Sequence, residues 1–538
     1  MKKALRGKKR LAFVAIPAII LLVALIIFNI RLCGPESNST LIYWPTQGWR
    51  NAAPEEQGFD SAKMAAALQS IRDSDMDIHS LLVIRNGMVI TDAYFYPYDG
   101  RSPHDMESVT KSMMTTLIAI AAEQGKLQLD QPMVSFFPDR TIANLNERKK
   151  RITVRHLAGM TSSLQSMGFE RDEGSLTEME DSPDWIQWSL DRPVISEPGT
   201  EFVYDSPGMH LLSAILQKAT GQTALEFARQ NLLEPLGITE VMWMTDPQGF
   251  NDGWGHMYLY PRDAAKLGYL WLNCGTWEGR QIVPRAWVED SVQRHMKTPT
   301  DDDYGYGWWV MNGNVGKEYA AIGRGGQRIH VMADLNLMVV TTGSGFEIDD
   351  LWPYLDGVLV DPEKPLPANP TGVEKMIAAI AAVAQPPAAQ LVKPLPVMAH
   401  AITGKTYLLD DNPLQVKTLR MDFIGTDSAT LYLTLADNQP FLPQPIGLDG
   451  IYRIILAEYN LPRGARGYWE DERTFICEYD EIAANNHLNL KLTFQGEQLQ
   501  IEAKETDHDY GVTIQGKYPK NISSTTQLKT KSYQHSPA

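Results

Sequence analysis

The sequence predicts an α/β or α+β domain, an all-β domain after it, and one transmembrane helix before it. Residues 11–30 are twenty uncharged and mostly apolar residues behind a basic terminus. Residues 56–360 alternate helical stretches with short apolar strands, whereas residues 401–518 hold short alternating runs between turn residues. Mixed helix and strand order is typical of an α/β or α+β domain, and regularly spaced short strands are typical of an all-β domain.

The first thirty residues predict a membrane anchor. Residues 1–10 hold six positive charges, and residues 11–30 hold none. Twenty helical residues at about 1.5 Å each span about 30 Å, which is the thickness of a bilayer core. Because a basic flank stays in the cytoplasm, we expect a single-pass protein of the cell membrane. Its main body would be extracytoplasmic and would follow a tether at residues 31–55.

Two other fates of the apolar segment stay open. A cleaved signal peptide usually has an apolar region of about 7–15 residues and a small-residue cut site, whereas this run is longer and IFNIRLCGPE contains no A-x-A. Lipidation at Cys33 would call for a leucine three places earlier and a small residue just before the cysteine. Ile30, Arg31 and Leu32 fit that pattern poorly.

Charge and cysteine content exclude several classes of partner and cofactor. The chain has 49 basic and 65 acidic residues, and the balance after Arg31 is 42 against 65. Because so acidic a body is a poor phosphate binder, we expect no nucleic acid partner. Three cysteines are too few for a disulfide framework, and there is no CxxC or HExxH motif. We therefore expect no metal and no cofactor, and no feature indicates an oligomeric state.

Four segments of the first domain predict particular elements. Residues 80–95 predict a hairpin, because apolar runs flank an Asn-Gly turn. Residues 108–125 and 209–221 predict helices that each end at a glycine. Residues 329–343 predict two buried strands around a tight turn.

The last third of the chain changes in character. Residues 361–400 are proline-rich and predict a linker that is interrupted by a short Ala-rich helix. Residues 401–518 predict an antiparallel meander, either closed into a barrel or sandwiched. Residues 519–538 are polar and predict a disordered tail.

Ser108 and Lys111 form the only Ser-x-x-Lys motif of the chain. They open the predicted helix at 108–125 and lie one turn apart on the same face. The unpaired N–H groups and positive dipole of a helix start favour an oxyanion and, together with burial, a neutral Lys111 that can act as a base. A capping serine followed by a solvated lysine is the alternative, and for the motif alone it is the better interpretation.

Two later segments favour the catalytic interpretation. Tyr204 lies in PGTEFVYDS, at residues 198–206. The sequence GRGGQ, at residues 323–327, precedes the apolar strand IHVMA. Glycines at that place would let a strand edge come close to a ligand.

With these residues the chain resembles the serine hydrolases related to class C β-lactamases and DD-peptidases. That family carries Ser-x-x-Lys, then Tyr-x-Asn or Tyr-x-Ser, then Lys-Thr-Gly or a substitute such as a Gly-Gly pair, and the order here is the same. The resemblance covers about residues 45–360 and implies a β-lactamase/transpeptidase-like fold, with an antiparallel sheet flanked by helices. Five further segments look like family landmarks: GKLQLDQPMVSFFPD (125–139), ITVRHLAGMTSSL (152–164), LLEPLGITE (232–240), YPRDAAKLGYLWLNCG (260–275) and YGYGWW (304–309).

The variant motifs narrow the resemblance to one branch. Tyr-x-Ser with a Gly-Gly pair is most similar to the esterase and 6-aminohexanoate-dimer hydrolase branch of the family. The C-terminal meander resembles the small barrel-like domains that are appended to some members.

The resemblance implies roles residue by residue. Ser108 would be the acylated nucleophile, Lys111 would accept its proton, and Tyr204 would carry a proton to the leaving group and later help to activate water. In this Ser-Lys variant of the catalytic triad, the lysine accepts the serine proton and no histidine is needed. The backbone N–H groups of Ser108 and Gln327 would form the oxyanion hole. The expected substrate-binding residues are Ser206, Arg324, Gly325 and Gly326.

Two departures from the family pattern argue against β-lactamase activity. Lys-Thr-Gly is missing, and with it the hydroxyl and the cation that help to seat a β-lactam carboxylate. Arg324 either replaces that cation or is an exposed surface residue. Ser206 stands where the family usually has an asparagine that contacts the acylamide.

Other residues that could carry chemistry are interpreted as structural. We expect His156, His210 and His330 to be packed or capping residues rather than general bases. The pair Trp308-Trp309 is expected in the core or in the wall of the cleft.

Three functions from different classes follow. The leading hypothesis is a membrane-anchored serine hydrolase that cleaves a small ester or amide through an acyl-enzyme on Ser108. The second is a cell-wall peptidase or β-lactam-reactive enzyme of the same fold, with a peptide or lactam substrate. The third is a non-catalytic binding protein on this scaffold, against which the intact Ser108, Lys111 and Tyr204 argue.

Overall fold

The computed structural model describes residues 43–74, 76–167, 172–312, 316–435, 441–506 and 511–519. The chain divides after Gln385 into two compact units. The predicted transmembrane helix at 11–30, its basic flank at 1–10, the tether up to residue 42 and the tail from residue 520 lie outside the described residues. Within the described ranges, no helix is both long and apolar enough to cross a membrane.

The first unit is built on one large sheet and two small ones. Its strands are β1 (Arg50–Asn51), β2 (Ile78–Arg85), β3 (Met88–Tyr94), β4 (His104–Asp105), β5 (Met242–Trp243), β6 (Met257–Leu259), β7 (Thr276–Trp277), β8 (Arg280–Gln281), β9 (Met296–Lys297), β10 (Asp303–Tyr304), β11 (Trp309–Val310), β12 (Glu318–Gly323), β13 (Gln327–Met332) and β14 (Leu337–Gly343). Its α-helices are Ser61–Arg72, Val109–Glu123, Glu147–Lys150, Val154–Ala158, Asp172–Glu180, Trp185–Asp191, Ser206–Thr220, Ala224–Ala228, Pro261–Leu272, Arg285–Ser291, Ile348–Leu355 and Pro370–Val383.

The large sheet has nine strands in the order β1-β3-β2-β14-β13-β12-β11-β10-β9. All of its pairs are antiparallel except that of β1 with β3. Every residue of β2 is buried, with Leu82 and Ile84 in the core on one face and Leu81 and Val83 in the core on the other. The sheet is therefore covered by helices on both faces, which explains the run of four apolar residues at 81–84.

The elements predicted for the first domain are confirmed. The hairpin of β2 and β3 turns at Asn86 and Gly87, which both have the positive φ that a tight hairpin turn needs. The first predicted helix is the helix Val109–Glu123, and the second is the helix Ser206–Thr220. The second helix begins three residues earlier than predicted because the Asp205 carboxylate caps it.

The first half of the predicted linker belongs to the first unit. Within residues 361–400, the helix Pro370–Val383 packs against the helix Ser61–Arg72. It does so through a stripe of buried residues at helical spacing: Gly372, Met376, Ala379 and Val383. The Ala-rich run is thus the inner face of a docked helix, and the boundary between the units falls after Gln385.

The second unit is a closed barrel, which confirms the prediction of a barrel-like meander. Its helix is Val397–Ile402, and its strands are β15 (Thr406–Leu409), β16 (Val416–Phe423), β17 (Ser428–Leu435), β18 (Gln444–Gly447), β19 (Arg453–Leu456), β20 (Pro462–Trp469), β21 (Thr474–Asp480), β22 (His487–Gln495), β23 (Gln498–Glu505) and β24 (Gly511–Lys517). The order is β18-β17-β16-β15-β24-β23-β22-β21-β20-β19, and a β18–β20 pairing closes a nine-strand ring that leaves β19 outside. Closure removes most free strand edges.

Candidate active site

The helix Val109–Glu123 begins directly after Ser108 and brings the Ser108 hydroxyl against Lys111. The Nζ atom of Lys111 lies 2.7 Å from Ser108 Oγ, and it donates a second hydrogen bond of 3.0 Å to the carbonyl oxygen of Trp254. The Ser108 side chain makes no capping hydrogen bond, and Lys111 is only 2% exposed. The alternative of a capping serine and a solvated lysine is therefore wrong.

A strained turn sets the direction of the nucleophile. Glu107 has a φ of 47°, a left-handed conformation that costs a non-glycine residue about 1–2 kcal/mol. Its backbone N–H donates to a carboxylate oxygen of Asp105, at 2.8 Å, and the Val109 N–H donates to the Met106 carbonyl. These bonds hold the conformation and place Ser108 at the helix start, where the free N–H groups lie.

Tyr204 is brought to the same place from a distant part of the chain. Its ring centroid lies 4.9 Å from Lys111 Nζ, and the Trp309 ring stacks on it at 6.2 Å. The Ser166 hydroxyl donates to the Tyr204 carbonyl, and the Val203 N–H donates to the Met160 carbonyl. The predicted Ser-Lys-Tyr set is thus assembled in space, and the catalytic roles of its members stay predictions.

The residue after Tyr204 is held by a buried ion pair. Arg192 donates to both carboxylate oxygens of Asp205, at 2.6 and 3.2 Å, and both side chains are about 5% exposed or less. The same carboxylate accepts from the Gly208 N–H and caps the helix Ser206–Thr220. Ser206, a predicted substrate-binding residue, is the buried first residue of that helix.

The glycine-rich hairpin between β12 and β13 approaches the nucleophile through Gly323. A methyl group added at Gly323 would lie 2.6 Å from the Met106 carbonyl oxygen and 3.0 Å from the Ser108 backbone nitrogen. Gly325 and Gly326, the predicted binding glycines, have φ values of 77° and 95° and form the turn itself. Glycine is needed here both for close approach and for the turn.

Gln327 holds this turn with its side chain. The residue is fully buried, and its Nε2 donates to the carbonyl oxygens of Arg324 and Gly343, at 2.8 Å each. The residue that the structure sets against the Ser108 backbone is Gly323. The oxyanion role expected of the Gln327 N–H stays a prediction, and Gln327 pairs with Gly323 across the hairpin.

Charged side chains surround the residue before the nucleophile. Arg324 lies 3.7 Å from the Glu107 carboxylate, so it is a partly buried partner of the active-site turn. Burial, together with the charge of Glu107, raises the pKa of Asp105 to about 7. His256 Nδ1 lies 2.8 Å from Asp252. Burial lowers the pKa of His256, but the hydrogen bond to Asp252 and the charges of Asp105 and Glu107 together raise it to about 9.

The three histidines singled out in the sequence are packed or capping residues, as predicted. His156 takes part in the capping box of the helix Val154–Ala158. His210 Nε2 lies 3.0 Å from Asp246 and is fully buried. His330 lies on β13 and faces Glu318.

Trp308 is buried against Trp271, whereas Trp309 packs on Tyr204.

Sequence reasoning missed His256 and its carboxylate partners. Asp252 lies only four residues before His256, but Asp105 and Glu107 reach it because the connection between β5 and β6 folds over the start of the helix Val109–Glu123. Within the described part of the chain, no group of three or more His, Cys, Asp or Glu residues is arranged to hold a metal ion.

Comparison of the sequence with known proteins relates the chain to one family. Residues 73–351 match the family model described as Beta-lactamase, which is more than half of the chain. The 6-aminohexanoate-dimer hydrolase of Paenarthrobacter ureafaciens is 23% identical over 312 residues, which cover 54% of this chain and 79% of that protein. The Monacolin J acid methylbutanoyltransferase of Aspergillus terreus is 28% identical over 163 residues. The alignment covers 27% of this chain and 39% of the length of that relative.

A solved structure shows the same fold. A protein of Bacillus anthracis, described as a candidate 6-aminohexanoate-dimer hydrolase, superposes with a TM-score of 0.50 at 20% identity. The superposition covers 59% of this chain and 89% of that one. From the family match, the chain belongs to the Beta-lactamase family.

Proposed function

We propose that the protein is a membrane-anchored, extracytoplasmic serine hydrolase that cleaves a small ester or amide through an acyl-enzyme on Ser108. The observation that carries the proposal is the 2.7 Å contact between Ser108 Oγ and the buried Lys111 Nζ at the start of a helix. A buried amine disfavours its charged form, so it can take the proton of a serine with which it is in contact.

The reaction has two halves, acylation of Ser108 and hydrolysis of the acyl-enzyme. In the first half, Ser108 Oγ attacks the substrate carbonyl carbon while Lys111 takes the hydroxyl proton and passes it to Tyr204, which gives its own proton to the leaving alcohol or amine. The bond from the carbonyl carbon to the leaving group breaks, and the acyl group stays on Ser108. In the second half, water attacks the ester and gives up a proton through the same groups, which releases the acid and restores Ser108.

The oxyanion of each tetrahedral intermediate would lie at the helix start. The Ser108 N–H would be one donor, and the N–H of Gln327, which pairs with the close-packed Gly323 across the hairpin, would be the second. Gly323 supports this assignment because its backbone lies against the Ser108 nitrogen. The Gln327 side chain also holds the loop, because its Nε2 donates to the Arg324 carbonyl.

The relatives support acyl chemistry at this site without naming the substrate. One is named as the hydrolase of a 6-aminohexanoate dimer, and another as a transferase of a methylbutanoyl group. Both names describe work on an acyl group, which agrees with an acyl-enzyme on Ser108. A small ester, amide or peptide is the expected partner.

Two features support an extracytoplasmic, anchored protein. Residues 1–30 combine a basic flank with twenty uncharged residues. Cys274 is disulfide-bonded, and disulfides persist mainly in oxidising compartments. In a bacterial host, the full-length chain should stay in the membrane after an alkaline wash, and deletion of residues 11–30 should release it. Release of the full-length chain by the wash would contradict the anchor.

Labelling of the full-length chain with a fluorophosphonate probe, read by intact mass, tests the nucleophile. We expect one adduct on the wild type and on Ser135→Ala, an exposed-serine control, and none on Ser108→Ala or Lys111→Met. Absence of any adduct on the wild type would contradict the assignment.

Turnover assays then separate the three functions. Hydrolysis of a short-chain nitrophenyl ester would support the proposal. Turnover of a chromogenic cephalosporin instead would favour the β-lactam-reactive alternative. An adduct without any turnover would favour the binding protein.

A further inference from the structure

The connection between β5 and β6, residues 244–256, carries the carbonyl that contacts Lys111. The Trp254 carbonyl accepts the 3.0 Å hydrogen bond from Lys111 Nζ. Two residues before it, Asp252 bonds at 2.8 Å to His256 Nδ1, two residues after it. The indole of Trp254 packs edge-on against the His256 ring, with centroids 4.5 Å apart. The Asp252–His256 bond therefore closes a turn around the carbonyl that holds the lysine.

The backbone of this turn is held in a conformation that a histidine adopts at a cost. His256 has a φ of 57°, in the left-handed region that favours glycine. Strain of this kind persists where the surrounding contacts fix it, and it often marks a functional position. Here the contacts that fix it are the bond to Asp252 and the packing on Trp254.

His256 also lies among carboxylates that border the nucleophile. Asp252 faces it from its own turn, Asp105 from β4, and Glu107 from the turn before Ser108. Glu180, at the end of the helix Asp172–Glu180, faces it from a fourth element. Arg324 offsets Glu107 from the far side. A carboxylate near an amine favours the charged amine, so a charged Glu107 directly before Ser108 would favour the form of Lys111 that cannot accept a proton.

We propose that His256 is a positioning residue for Lys111: its imidazolium closes the turn that aims the Trp254 carbonyl, and it offsets the carboxylates beside Ser108. The inference rests on the proposed function, because it requires Lys111 to take the proton of Ser108. The pKa of about 9 keeps the imidazolium charged at neutral pH and discharges it above pH 9.

The test compares fluorophosphonate labelling rates of the full-length wild type and His256→Gly. Glycine accepts the positive φ without strain, so the variant removes the ring and leaves the backbone conformation accessible. We expect about a tenfold slower rate at pH 7, equivalent to about 1.4 kcal/mol of activation free energy. Added imidazole should restore most of that rate. The wild-type rate should also show a step near pH 9 that the variant lacks.

His295→Ala is the matched control. His295 is also paired with a carboxylate, Asp290, at 3.0 Å, and its side chain is 31% exposed against 32% for His256. Its loss should leave the labelling rate and the pH profile unchanged.

The outcomes separate this inference from the proposed function. A wild type that does not label overturns both. A labelled wild type, with a His256→Gly variant of equal rate and equal pH profile, overturns only the inference. A variant that labels more slowly, is not restored by imidazole and keeps the step in rate near pH 9 would mark His256 as a packing residue. That result would also overturn the inference.

Discussion

Gly323→Ala adds one methyl group at the point where the hairpin between β12 and β13 packs against the backbone of Ser108. The added methyl would lie 2.6 Å from the Met106 carbonyl oxygen, 2.9 Å from Glu107 Cβ and 3.0 Å from the Ser108 nitrogen. These neighbours are backbone or Cβ atoms, so no flexible side chain can turn away. Gly323 has a φ of −128°, which alanine adopts without strain. The substitution therefore changes only the distance between two segments.

The size of the effect follows from those distances. Restoring ordinary contact of about 3.4 Å to the Met106 oxygen requires a separation of about 0.8 Å, and an overpacked contact costs about 1–3 kcal/mol of stability. A misplacement of about 1 Å in a catalytic site can cost about a hundredfold in rate. Because the proposed oxyanion donors belong to the two segments that meet at this contact, we expect labelling of Ser108 to slow by about 30- to 100-fold.

The assay measures the fluorophosphonate labelling rate and the thermal midpoint of the same protein. Gly511→Ala is the control, since its methyl would meet one atom at an ordinary 3.6 Å. A Gly323→Ala variant that keeps the wild-type labelling rate would refute the idea that this strand end borders the oxyanion hole. A variant that loses its folded transition would show that the contact is chiefly structural.

Three further predictions test the surroundings of the site. Arg192→Met leaves the Asp205 carboxylate buried without its cation, so urea titrations should show a free energy of unfolding that is lower by about 3–5 kcal/mol. The control Arg151→Met breaks an exposed ion pair and should change that free energy by about 1 kcal/mol or less. Because the pKa of Asp105 is raised to about 7, its contribution to stability is complete below about pH 4 and declines as the pH rises to 7. Asp105→Asn should remove that decline, which a pH series of unfolding midpoints would measure. Truncation after residue 385 should keep the thermal transition of the first unit, and truncation after residue 365 should lower it, because only the second removes a docked helix.

The sequence predicted the parts of the site that local rules determine. A Ser-x-x-Lys motif at a helix start puts Ser108 and Lys111 on one face, and the structure finds them in contact. The hairpin, the two glycine-terminated helices and the barrel strands also follow from local turn chemistry and residue periodicity.

The features that the sequence did not predict depend on long-range packing. The pKa of His256 is raised first by the hydrogen bond to Asp252, four residues earlier, but also by Asp105 and Glu107, which come from a distant part of the chain. The helix at 370–383 was predicted as part of a linker because proline-rich runs flank it, and the burial of its inner stripe depends on a partner about three hundred residues earlier. Arg324 could not be assigned between site and surface until its contact with Glu107 was seen.

Burial alone does not single out a catalytic lysine in this protein. Among the lysines that the structure describes, Lys111, Lys149 and Lys266 are buried. Lys149 donates to two carbonyl oxygens, and burial lowers its pKa to about 8, yet it lies between structural segments; Lys266 pairs with a carboxylate. Lys111 differs because its partners include a serine hydroxyl at a helix start and a tyrosine ring. A base needs a proton within reach, and of these three lysines only Lys111 has a serine hydroxyl at a helix start as its partner.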